Sequence, residues 1–189
     1  MRLFILISAL ALFSTTTLAA NADGYKQTLA LQGITFDVTS KSSGSLGKLQ
    51  ITPKGLKSKT AAISREIDGT VTGAEIADLD ADGSPEIYIY VTSAGSGSYG
   101  SVIAYAVNKK QSVTEIFMPN LTDDPKLSKG YMGHDEFSIV ENSLGRRFPI
   151  YLDGDSNAKP TGGIRQLEYQ LVPGEAAWLL KVKNQIDLK

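Results

Sequence analysis

The sequence predicts an all-β protein, an antiparallel β-sandwich or flattened barrel of about nine or ten strands. Three observations carry this. Short apolar runs alternate with a period of two, most clearly in Glu86 to Thr92 (EIYIYVT) and Gly163 to Val172. Clusters of Gly, Pro, Asn, Asp and Ser separate these runs at short intervals. Beyond the first 22 residues almost no stretch shows the 3.6-residue period of an amphipathic helix.

Taken in order, Tyr25 to Thr39 reads as one or two strands broken near Gly33, and Lys41 to Lys48 as a Ser/Gly turn. Leu49 to Thr52 is a short strand stopped by Pro53, and Ala61 to Asp68 a weaker one. Thr70 to Leu79 is a strand, Asp80 to Pro85 a turn. In Glu86 to Thr92, Ile87, Ile89 and Val91 share one face and Tyr88, Tyr90 and Thr92 the other. Ser101 to Val107 and Ser112 to Met118 follow, joined by the turn at Asn108 to Gln111. Pro119 to Tyr131 is a polar connection. Glu136 to Glu141 and Arg147 to Leu152 read as a pair around Asn142 to Gly145. Gly163 to Val172 and Ala176 to Val182 close the chain, with Trp178 placed in the core.

The 189 residues suit one domain. We expect residues 1–22 to be an export signal and 23–189 a single β-sandwich domain. Arg2 precedes an apolar run, Leu3 to Phe13, that is too short to span a bilayer, and Ala20-Asn21-Ala22 fits an A-x-A cleavage pattern. Cleavage after Ala19 or Ala20 fits as well. This predicts a periplasmic protein with no membrane attachment after cleavage. With 42% hydrophobic and 21% charged residues the chain is neither disordered nor a multi-span membrane protein. Its net charge of −1 gives no reason to bind nucleic acid. Cys is absent, which excludes thiol nucleophiles, Cys-ligated metals and disulfides.

Between the two most regular runs lies Ala94 to Gly100 (AGSGSYG). Gly95, Gly97 and Gly100 free the backbone, Ser96 and Ser98 offer hydroxyls, and Tyr99 is the only large side chain. Such a loop can simply join two strands, or it can probe another molecule's cleft. Asp78-Leu79-Asp80-Ala81-Asp82-Gly83 places carboxylates at alternate positions before a Gly, a pattern that can wrap calcium with Glu86 as a late ligand. An EF-hand needs Glu at its twelfth position, where Ile89 stands, so a plain Asp-Gly turn is the competing reading and no cofactor or metal is expected. Catalytic signatures are thin. His134 is the sole histidine, Ser96 has no evident base, and no G-x-S-x-G elbow leads into a helix. Arg146 and Arg147 form a cationic pair suited to carboxylates on a partner, or to a solvated strand end.

The loop residues Ser96-Gly97-Ser98-Tyr99 match a Ser-Gly-x-Tyr motif. With the blocks DLDADGSPEIYIY, YIYVTSAGSGSYGSVIAY and GYMGHDEFSIVENSLGRRFPIY, the chain resembles the PliI family, bacterial periplasmic inhibitors of invertebrate-type (i-type) lysozyme. These blocks cover most of residues 78–151. The resemblance implies a β-sandwich inhibitor and not an enzyme, with lysozyme as partner and Ser96 and Tyr99 as its main contacts in the active-site cleft. It also implies a tendency to form homodimers. Inhibitors of chicken-type lysozyme carry a similar loop with one more residue between Ser and Tyr, so the spacing here points to the i-type target. Arg146 or Arg147 would support the contact from a neighbouring loop. Two other classes stay open on the residues alone: a calcium-stabilised exported β-module for adhesion or scaffolding, and an exported glycan hydrolase.

Overall fold

The structure, a computed structural model, describes residues 24–189; the expected export signal lies outside the described residues. Twelve strands form two sheets. The first four, β1 (Tyr25–Leu31), β2 (Ile34–Ser43), β3 (Leu46–Lys54) and β4 (Ile63–Asp68), make an antiparallel meander in sequence order. The other eight are β5 (Thr70–Ala77), β6 (Glu86–Thr92), β7 (Gly100–Asn108), β8 (Ser112–Phe117), β9 (Glu136–Val140), β10 (Ser143–Pro149), β11 (Ile164–Pro173) and β12 (Trp178–Leu188). They form one sheet in the order β5-β6-β7-β8-β12-β11-β10-β9, curled into a nearly closed barrel.

One pairing departs from the antiparallel rule. β8 and β12 run parallel over two residue pairs, Ile116 with Trp178 and Phe117 with Leu179. The connection between these two strands carries β9, β10 and β11. At the open seam, the Glu75 carboxylate of β5 accepts the Tyr90 hydroxyl (2.5 Å) and the Ile139 N–H of β9 (2.9 Å). The Tyr90 and Phe137 rings stack across the same gap at 5.7 Å.

β6 is buried on both faces, and this organises the molecule. Ile87, Ile89 and Val91 pack outward with Ile34, Phe36, Val38, Leu49, Ile51 and Ile67 of the four-stranded sheet. Tyr88 and Tyr90 point inward to Leu144, Phe148, Leu167, Tyr169 and Leu180, the barrel interior. The alternation expected for this strand is therefore present, and both of its faces meet a core.

Strand boundaries differ from expectation where polar residues pair. β2 and β3 extend into the expected Ser/Gly turn and leave Gly44 and Ser45 as the loop. β12 continues through polar residues to Leu188, because β11 pairs with it throughout and buried Arg165 grips Asp187 (2.8 Å). The β9–β10 turn is Glu141–Asn142 rather than Asn142 to Gly145. Leu144 thus enters the strand fully buried. That register sends Arg146 into the barrel and leaves Arg147 on its outer wall. Trp178 is half-buried against the barrel core and donates to Asn108 Oδ1 (3.1 Å). Among the described residues no helix is long and apolar enough to cross a membrane.

Candidate functional site

The Gly/Ser loop joins β6 to β7 at one end of the barrel. The Ser93 N–H donates to Tyr99 O (2.8 Å) and closes its base; the Ser98 N–H donates to Gly95 O (3.2 Å) and turns its tip. Gly97 leaves room for the Tyr99 ring, because a Cβ there would lie 2.5 Å from that ring. Folding back over Gly97 and edge-on to Tyr131 (5.6 Å), the ring still exposes 48% of the residue. Ser96 is exposed, and its hydroxyl has no hydrogen bond to the protein among the described residues.

The loop is tied down from three directions. The His134 N–H donates to Gly97 O (2.8 Å), with Gly133 packed so closely that a Cβ would strike that carbonyl. Asn157 Nδ2 donates to Ser96 O (2.6 Å) and its Oδ1 lies 3.2 Å from His134 Nε2. The Gly100 N–H donates to Asp135 Oδ2 (2.7 Å). Asp135 is the pivot. Its Oδ1 accepts Arg146 Nε (2.7 Å), and Oδ2 also accepts the Tyr131 hydroxyl (2.6 Å). The Asp135 side chain is 0% exposed and that of Arg146 6%. The guanidinium lies between 5.2 and 5.7 Å from the centres of the Tyr131, Phe137 and Phe148 rings, within cation–π range. Burial, and after it the bond to Asp135, push the Tyr131 phenol upward, so it remains a donor.

Residues 49–125 match the family model PliI, described as periplasmic lysozyme inhibitor of I-type lysozyme. Over that stretch the chain is similar to the PliI family. That description makes the family's members inhibitors of i-type lysozyme rather than enzymes and places them in the periplasm. The match covers less than half of the chain. It begins in β3, in a stretch whose residues suggested no relationship, and runs through β8, so it includes the loop and draws on both sheets. It ends before residues 130–151, which hold the loop from beneath. No curated protein and no solved structure matches the chain.

The structure brings together Ser96, Gly97, Ser98 and Tyr99 at one loop tip and separates the two arginines expected near them. Arg146 holds the loop's base from inside the barrel, while Arg147 is exposed on the outer wall. The residues that reasoning from sequence missed are Tyr131, Asp135 and Asn157. The signal in the sequence was only the glycine at 133 beside His134-Asp135.

The other candidate is the turn before β6. Asp78, Asp80 and Glu86 each present an oxygen within 4.8 Å of the others. Asp82 stands apart from them, capping the turn by accepting the Ser84 N–H (2.7 Å). Glu86 is 1% exposed and accepts the Leu79 N–H (2.8 Å). Burial, and beyond it the charges of Asp80, Asp78 and Asp82, push its carboxyl up to about 8.

Proposed function

We propose that this chain is a PliI-family protein that inhibits i-type lysozyme by inserting the Ser96–Tyr99 loop into the enzyme's active-site cleft. The observation that carries this reading is the contrast within the loop. Its backbone is anchored at Ser96 O, Gly97 O and Gly100 N, whereas the Ser96 hydroxyl and half of Tyr99 face outward with nothing to bind. A glycine-rich loop that had to order on binding would lose affinity; one already held loses less. Lysozymes cleave glycans between two carboxyl groups, and the Ser96 hydroxyl is a donor suited to such an acceptor. Tyr99 supplies apolar area and a polar tip. Within the pair expected to support the contact, Arg147 is the residue a partner can reach, and Arg146 acts through Asp135 on the loop.

The same proposal takes residues 23–189 as one domain, because one core draws side chains from both sheets. It includes an N-terminal export signal and a homodimer, which light scattering of the purified protein tests. The function is tested by lysis of a bacterial suspension with an i-type lysozyme, a chicken-type enzyme run in parallel. Selective, stoichiometric loss of i-type activity is expected. Tyr99→Ala should weaken inhibition about 30-fold, the equivalent of an anchor worth about 2 kcal/mol, and Ser96→Ala should weaken it less. Full inhibition by both variants would remove the loop from the mechanism.

A further inference from the structure

We propose that the turn between β5 and β6 is a calcium site, with Asp78, Asp80 and Glu86 as its carboxylate ligands. The three oxygens converge to within 4.8 Å, a spread that calcium spans at its ordinary 2.3–2.6 Å bond lengths. All donors are hard oxygens, with no His or Cys in the group, which favours calcium or magnesium over transition metals. Magnesium demands near-octahedral bonds of about 2.0–2.1 Å, so it would have to draw a group of that spread inward.

Two features outside the turn's own hydrogen bonding point to a missing ligand. Glu86 is buried, accepts one hydrogen bond and takes part in no ion pair among the described residues. A buried carboxylate beside two others is costly unless a cation sits among them. Tyr88, two residues further on the same inward face of β6, is wholly buried. Its hydroxyl lies beside Glu86 and closes no hydrogen bond of normal geometry. Buried hydroxyls almost always find a partner, and a hydrated cation bound by Glu86 would bring one. The site lies at the opposite end of β6 from the lysozyme-binding loop, so its role is to brace the strand both cores share.

Three protein carboxylates, completed by backbone carbonyls and water, resemble extracellular calcium modules with dissociation constants of about 0.1–1 mM. In 10 mM calcium the melting temperature should therefore rise by about 3–10 °C over that in chelator. The experiment is a thermal melt of the purified protein in EDTA, in calcium and in magnesium at matched ionic strength, with calorimetric titration of calcium. Glu86→Gln keeps the side chain's shape while removing the buried charge. It should melt no lower than the parent in EDTA and lose the calcium response; Asp80→Asn, on the exposed side, should lose that response as well. No shift and no binding heat in the parent would overturn the site. So would an equal response to magnesium, or a calcium response kept by Glu86→Gln.

Discussion

Replacing Asp135 by Asn tests whether the buried Asp135–Arg146 pair holds the loop. The substitution keeps size and removes charge, leaving the Arg146 guanidinium inside the barrel with no counter-ion and weakening the acceptor for Gly100 N–H. Removing one partner of a buried pair costs about 3–5 kcal/mol, since the other charge remains desolvated. In a domain of this size each kcal/mol moves the midpoint by about 2–4 °C, so the melting temperature should fall by about 6–20 °C. A second variant separates folding from function. Asp135→Asn combined with Arg146→Met removes both charges and puts an apolar side chain among Tyr131, Phe137 and Phe148. Well-packed apolar replacements of buried pairs are often neutral or stabilising, so most of the lost melting temperature should return. Inhibition should not return with it, because the loop base still lacks its charged acceptor. Lysis inhibition and thermal melts on parent, single and double variants decide the matter. A double variant that inhibits like the parent, or a single one whose midpoint does not move, would refute the reasoning.

The other supports of the loop make narrower predictions. Gly97→Ala puts a Cβ against the Tyr99 ring, so inhibition should drop while the melting temperature barely changes, the ring being free to swing outward; unaltered inhibition would show that the ring's position is immaterial. Asn157→Ala removes the donor to Ser96 O and should cost inhibition several-fold with at most about 1 kcal/mol of stability, read from the same two assays. At the barrel seam, Glu75→Ala strands the Tyr90 hydroxyl and the Ile139 N–H, and should cost about 1–3 kcal/mol, with faster amide exchange in β9. The Asp155 carboxylate accepts the Leu152 N–H and then two bonds from Thr161, which hold its titration below the ordinary carboxylate value. Because its folded value is depressed, the stability it gives the 152–161 turn is complete above about pH 4 and is lost as pH falls through the folded value. NMR of the Thr161 amide should therefore shift only in acid, and Asp155→Asn should abolish that transition.

What the sequence made legible follows from what each strand faces. β6 was read residue for residue because its alternation is perfect, yet the same pattern says nothing about whether the second face meets water or another core. Tyr88 and Tyr90 look like residues of a half-exposed face, and they are the inner wall of the barrel. β12 beyond Val182 was illegible for the opposite reason. Lys183 and Asn184 break the apolar period, and the strand persists there through backbone pairing with β11 and the Arg165–Asp187 contact. The parallel β8–β12 junction could not be anticipated either, since it depends on where three intervening strands are placed.

The loop itself is legible because its composition is unusual: small residues around one protruding aromatic. Its support is ordinary in composition and remote in sequence. Asp135 lies 35 residues beyond Gly100 and Asn157 lies 61 beyond Ser96, and only the barrel's closure brings them under the same hairpin. A one-residue slip in the β9–β10 turn would reverse Arg146 and Arg147 and place the free cation inside. The turn at Glu141–Asn142 therefore does as much to shape the loop's support as the glycines do to shape its tip. On the proposed mechanism the motif supplies the contact surface, and the register of a distant hairpin determines whether that surface is held in place. It follows that a sequence carrying the Ser-Gly-x-Tyr motif without an Asp and an Arg in these registers should fold and bind only weakly. Grafting residues 93–99 onto another β-hairpin measures this directly: strong inhibition by the graft would show that the tip alone suffices.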